Sequence, residues 1–239
     1  MKKGIGVGIE DFREVIREDC YYFDKTNYIE ELIKDKTKIK LFTRPRRFGK
    51  TLNMSTLKYF FDVKNAEENR KLFKDLYIEK SEYFKEQGQY PVIFITLKDL
   101  KKNTWKEMNF EIKELLRNLY DEFNFIRDTL SISDLREFDK IWLKEEDANY
   151  DSSLLNLTKY LYNYYKKEVV LLIDEYDSPL ITANRKGYYK EAINFFRNFL
   201  SLALKTNSYL KMGVLTGIVQ VAKEEIFSGL NNVRTYNIL

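Results

Sequence analysis

The chain has 239 residues, 44% of them hydrophobic, with 41 basic against 37 acidic side chains and a formal charge of +4. That length suits one large α/β domain, or a domain with extra helices, and so mild a charge gives little support for a nucleic-acid partner. With no histidine and Cys20 as the single cysteine, Ser-His-Asp and Cys-His hydrolases, an internal disulfide and Cys-based zinc are all excluded, which leaves a hard ion on oxygen ligands, magnesium foremost, as the expected metal.

The opening Gly4-Ile-Gly-Val-Gly8 lacks the G-x-G-x-x-G spacing, and no strand precedes it, so it is read as having no binding role. Residues 21–35 begin with aromatics and Asp24, then show helical spacing through Tyr28, Ile29, Leu32 and Ile33. A short apolar strand is expected over 38–43. Residues 43–51, TRPRRFGKT, follow it, and Leu52, Met54, Leu57, Phe60 and Phe61 then recur at helical spacing. Pro91 introduces a nearly continuous apolar run at 92–97, as in buried parallel strands. Three helices are expected between Trp105 and Tyr165, with a polar break near 145–152. A third buried strand is expected over 168–179, closed by Pro179, and a helix over 188–205. Strands at 211–218 and 232–239 complete the pattern. No run approaches the ~20 apolar residues of a membrane span, and the Met1 end lacks a signal-peptide core, so the expectation is a cytoplasmic protein with no membrane partner.

Strands alternating with helical crossovers imply a doubly wound α/β fold, and with the loop and acidic motifs that follow the expectation is a three-layer P-loop NTPase sandwich. Its sheet is expected to be mostly parallel, with about five strands and extra helices between the second and third. Its ligand belongs at the strand carboxyl ends. Gly49, Lys50 and Thr51 fit the end of the phosphate-binding motif G-x-x-x-x-G-K-[ST], but Arg44 stands at the first glycine. In such a loop, backbone N–H groups and a helix N-terminus face phosphate oxygens. Lys50 adds charge at the β- and γ-phosphates, and Thr51 offers a hydroxyl to magnesium. The candidate nucleotide contacts run from Arg46, Arg47 and Phe48 through Gly49, Lys50, Thr51 and Leu52. Arg44, Arg46 and Arg47 form a basic rim that either contacts phosphate, pairs with nearby acids or faces water, with Arg47 favoured for phosphate.

Val169 to Ile173 are apolar and Asp174-Glu175 follow at once. This is a Walker B arrangement, in which Asp174 reaches the magnesium shell and Glu175 polarises the attacking water. The candidate catalytic residues are therefore Glu175 and Lys50, with Thr51 and Asp174 on the metal. Asp177 either assists or caps the next segment. Thr216 is either a polar sensor of the γ-phosphate or a tolerated core residue. Glu111-Ile112-Lys113 has the E-x-K spacing of a nuclease, but it lies in a helical pattern without an upstream Pro-Asp and is read as chance.

The blocks GIEDFREVIREDCYYFDKTNYI, FTRPRRFGKTLNMSTLKYFF, LIDEYDSPL and GVLTGIVQVAKEEIFSGLNNV together resemble the bacterial AAA-ATPase-like family. Its members usually carry a C-terminal PD-(D/E)XK nuclease-like domain. The resemblance runs from about residue 4 to the end and implies ATP and magnesium as ligands. The family's loop also lacks the first glycine. Tyr22, Phe23 and Asp24 are similar in placement to the segment that holds adenine in AAA-type ATPases; the local alternative is a helix start capped by Asp24 or Thr26. Gln220 stands where the family generally has Arg. The apolar ending at Ile238-Leu239 suggests a fragment lacking the family's lid and nuclease-like domain. Any nucleic-acid contact is then expected through that absent domain, and a homo-oligomer stays open. Three functions remain: a slow ATPase module, a nucleotide-sensing switch, or a DNA-associated protein whose effector lies elsewhere.

Overall fold

The computed structural model describes residues 4–205, 207–218 and 233–236. The first elements are two short helices, α1 (Phe12–Arg17) and α2 (Asn27–Lys34), ahead of strand β1 (Ile39–Thr43). Helix α3 (Lys50–Phe61) leaves the glycine-containing loop, and α4 (Ala66–Lys71) and two 3₁₀ turns lead to β2 (Val92–Thr96). The expected insertion follows as α5 (Trp105–Glu122), α6 (Ile132–Trp142) and α7 (Ser153–Tyr165). Then come β3 (Val169–Asp174), α8 (Ser178–Lys186), α9 (Tyr189–Leu204), β4 (Leu210–Gly217) and β5 (Val233–Tyr236).

The five strands form one sheet in the order β2-β3-β4-β1-β5, and every described pairing is parallel. β3 explains the three layers. All six of its residues are buried, and alternate side chains serve opposite faces. Val169, Leu171 and Ile173 join Ile39, Ile93 and Leu215 beneath α5, α7 and α9. Val170 and Leu172 join Met54, Leu57, Phe60 and Met212 beneath α3. Burial on both faces is why these strands read as continuous apolar runs.

Two expectations change. The third strand stops at Asp174, and Pro179 does not close it. Instead Pro179 sits in the first turn of α8, an element not foreseen. A proline there loses no helical bond, because the first-turn N–H groups have no partner within the helix. Residues 12–17 and 66–71 are also helical, in segments too short for periodicity to announce.

Asp62, the C-cap of α3, gives the fold a pH dependence. Burial pushes its carboxyl up to about 6 from an ordinary value of 3.8, against the pull of the Lys64 N–H and nearby lysines. Between those values the folded chain keeps a proton that the unfolded chain releases, so stability falls as pH rises through that window. Asp62→Asn should therefore raise the melting temperature at pH 7–8, with the gain vanishing below about pH 4. Calorimetric melts of both proteins across that range check it; a gain independent of pH would assign the effect to something other than this carboxyl.

Candidate nucleotide site

The sheet register assembles the site at the carboxyl ends of the strands. Thr96 of β2 lies opposite Asp174 of β3, Ile173 opposite Leu215 of β4, and Phe42 of β1 opposite Thr216. β4 thus separates the strand that feeds the loop from the strand that ends in Asp174. Thr216 stands between them.

The loop turns sharply twice. Arg47 and Gly49 both take left-handed backbone, at φ 67 and 68. Glycine accepts that conformation freely, whereas a residue with a side chain does so at a cost of about 1 kcal/mol or more. Gly49 is the N-cap of α3 and supplies no side-chain cap. Among the described residues no side chain caps the first turn of this 12-residue helix, and N–H groups at such a terminus are the physical basis of an anion cradle. A Cβ built on Gly49 meets nothing within 4 Å, so the space in front of the loop is open. Lys50 is buried to 9% exposure. Its ammonium donates to the Arg44 and Pro45 carbonyls at 3.1 and 2.9 Å, which stretches it along the inside of the loop.

Thr51 Oγ donates to Asp174 Oδ2 at 2.8 Å, joining the loop to the end of β3. Asp174 is fully buried, and its other oxygen accepts from the Thr216 hydroxyl. The same Thr216 oxygen accepts from the Glu175 N–H at 3.3 Å, and the Thr216 carbonyl accepts from the Tyr176 N–H at 3.0 Å. Glu175 is itself left-handed, at φ 52. Three contacts from β4 therefore hold a strained turn and aim two adjacent acids. Asp177 is buried and accepts from the Ile218 N–H at 2.8 Å, a second tie between the same strand ends. Burial and the Asp177 charge push the Tyr176 hydroxyl well above its ordinary range, so the ring stays neutral.

Two adjoining cavities flank Gly49 and Leu52. The larger, about 450 Å³, is lined by Arg46, Arg47, Lys50, Thr51 and Glu175, with Gly8, Ile9 and Glu10 on the N-terminal side. The smaller, about 170 Å³, is lined by Tyr21, Tyr22, Phe23, Phe48 and Asn53 among others, with Cys20 at its edge. Burial first, and then Asp24, pushes the Tyr22 hydroxyl up to about 12, so Tyr22 stays neutral, and Lys25 is the charged side chain on this wall.

Most of the residues singled out by sequence thus converge: Arg46 to Leu52 and Glu175 on the cavity walls, Asp174 and Thr216 directly behind them, Tyr22 and Phe23 on the smaller cavity. Asp24 is placed elsewhere. Its Oδ1 accepts from the Thr26 N–H and hydroxyl at 2.8 and 2.7 Å, and its Oδ2 from the Tyr77 N–H at 2.7 Å. It anchors the turn before α2; Thr26 is the N-cap residue of that helix, but neither side chain makes a capping bond to it. Arg44 also turns away, donating to the Thr43 and Tyr236 carbonyls at 3.2 Å. Gly8 to Glu10 were missed, since the dismissed glycine run ends on the cavity wall. Gln220 lies outside the described residues. Glu111 and Lys113 lie on α5, paired with Lys102 and Glu146 rather than with each other.

Thr51 and Asp174 offer a hydroxyl and a carboxylate to a cation. Among the described residues no three His, Cys, Asp or Glu side chains cluster around a point. The donor set therefore suits a small hard ion that takes its remaining ligands from phosphate and water, as magnesium does, and is a poor match for a protein-caged metal.

Fold and site together define a P-loop NTPase-like α/β sandwich. The sequence matches the AAA-ATPase-like family, described as "Predicted AAA-ATPase", over residues 6–227, and the chain belongs to that family. It is similar to an Azotobacter chroococcum mcd 1 protein described as "Uncharacterized protein in vnfD 5'region", with 26% identity over 234 residues. That alignment covers 97% of this chain and 40% of the Azotobacter protein, so the chain spans about two fifths of its relative's length. No solved structure matches the chain. No helix among the described residues is long and apolar enough to cross a membrane.

Proposed function

We propose that this chain binds ATP with magnesium and hydrolyses it slowly, as a module whose nucleotide cycle drives or gates a part of the protein outside the chain. The observation that carries the reading is the 2.8 Å bond between Thr51 Oγ and Asp174 Oδ2, beside a buried lysine and an open helix N-terminus. Thr51 and Asp174 would hold the magnesium ion. When bound, such an ion would supply positive charge against the negative charge that builds up on the phosphates.

The chain's own groups do the rest. N–H groups at the start of α3 bind the phosphates, and Lys50 exchanges the Arg44 and Pro45 carbonyls for β- and γ-phosphate oxygens. The apolar and aromatic walls of the smaller cavity receive the base, stacked against Tyr22, Phe23 or Phe48. Glu175, on the wall of the larger cavity, accepts a proton from water as the water oxygen attacks the γ-phosphorus. The bond from that phosphorus to the β–γ bridging oxygen breaks, and inorganic phosphate and ADP leave.

Phosphate release measured against protein concentration, with and without magnesium, tests the reading. Release that scales with protein and needs the metal supports it; nucleotide binding with no release would make the chain a nucleotide-sensing switch. Asp174→Asn should weaken the dependence of ATP affinity on magnesium, because the amide carries no charge for the ion; its oxygen still accepts from one of the two threonine hydroxyls, and its NH2 donates to the other. Titrations at varied free magnesium check this. An unchanged dependence would move the metal away from Asp174.

A further inference from the structure

Glu10 is an unexpected residue to find on this cavity. A carboxylate on the wall of a pocket for a polyanion repels its ligand, unless something cancels the charge. Lys98 does so: its ammonium meets Glu10 Oε2 at 2.9 Å. Both residues are held near the reacting end by backbone. The Leu97 N–H donates to the Asp174 carbonyl at 2.9 Å, and the Lys98 N–H to Thr96 Oγ at 3.4 Å, which fixes Lys98 just beyond the strand that flanks Asp174. Ser55 Oγ of α3 donates to the Leu52 carbonyl at 2.9 Å and accepts the Phe12 N–H at 2.8 Å, which ties the segment just after Glu10 to the helix that starts at the loop. The Glu10 bond holds the Lys98 pKa above its ordinary value, and the charges of Asp99 and Asp174 add to that rise. Through the Leu97 bond Lys98 lies one residue from a backbone contact with Asp174, the acid proposed to hold the metal.

The pair is also easily broken. Its side chains are 38% and 59% exposed, and exposed ion pairs are weak. A terminal phosphate with several negative oxygens is a stronger acceptor for an ammonium than one solvated carboxylate.

Resting on the ATP reading above, we propose that Lys98 is a selectivity residue for the terminal phosphate: it leaves Glu10 for the γ-phosphate and so favours the triphosphate over the diphosphate. Lys50, held inside the loop, serves both nucleotides. Lys98, on a more distant strand end, serves only the longer one. Glu10, 59% exposed, then turns to water, which screens its charge from the phosphates.

The test compares affinities for a non-hydrolysable ATP analogue and for ADP, each with magnesium, in the parent, Lys98→Ala and Lys98→Arg. Lys98→Ala should weaken the analogue by roughly fivefold to tenfold and ADP by less than about twofold, the loss of one partly exposed charge-assisted contact. Lys98→Arg should restore most of the loss. Melting temperatures should stay level, so that a drop in affinity reports contact rather than unfolding. Equal losses for both nucleotides, or none, in a parent that binds both would overturn this proposal alone. A parent that binds neither nucleotide would overturn the ATP reading, and this proposal with it.

Discussion

Glu175→Gln should slow phosphate release from ATP by roughly a hundredfold or more while leaving ATP affinity intact. The amide keeps the shape of the side chain and its place on the cavity wall, but it cannot take a proton from water. The turn that presents it should survive, since that turn depends on the backbone: the Glu175 N–H on Thr216 Oγ and the Tyr176 N–H on the Thr216 carbonyl. Single-turnover release at saturating ATP isolates the chemical step from product release. A variant as fast as the parent would place the base elsewhere, with the buried Asp177 next in line. A variant that has also lost affinity would mean that Glu175 belongs to the binding geometry and not to the chemistry.

Lys50→Ala should weaken ATP by about 2–3 kcal/mol, the scale of a buried charge-assisted hydrogen bond, or roughly 30- to 150-fold in Kd. Two effects add. The phosphates lose a point charge in a partly desolvated cavity, and the Arg44 and Pro45 carbonyls lose the ammonium that braces the loop. The second is separable from the first, because a slack loop should lower the melting temperature of the nucleotide-free protein as well. Calorimetric titration of both proteins gives the affinity. Equal values would remove the phosphate-binding role from this loop.

Much of the architecture is legible in the sequence because the sheet is buried on both sides. Runs such as VIFIT and VVLLID have no polar alternation, as expected of strands in a parallel sheet covered by helices. The placing of GKT between an apolar strand and a helix, and of Asp-Glu at the end of another strand, is equally local. These features needed no knowledge of the fold.

What escaped the sequence is whatever depends on distant partners or on very short elements. Six-residue helices such as α1 and α4 contain fewer than two turns, too few for a period to show. Helix α8 was hidden by Pro179, which reads as a breaker unless its place in the first turn is known. Thr216 looked like any threonine in an apolar strand; its contact with Asp174, 42 residues away, follows from β4 inserting between β1 and β3. Glu10 and Lys98 are separated by 88 residues and carry no motif at all. The walls of the larger cavity join residues from the N-terminal segment, the loop and the end of β3. No local signal could have linked the three.

An equilibrium titration of ATP into the parent protein, with magnesium and then with the metal chelated, tests the proposed phosphate cradle most directly. The account predicts one saturable site per chain, with affinity that falls when magnesium is removed. Absence of saturable binding at millimolar ATP with magnesium would contradict it, as would binding indifferent to both the metal and the loss of Lys50.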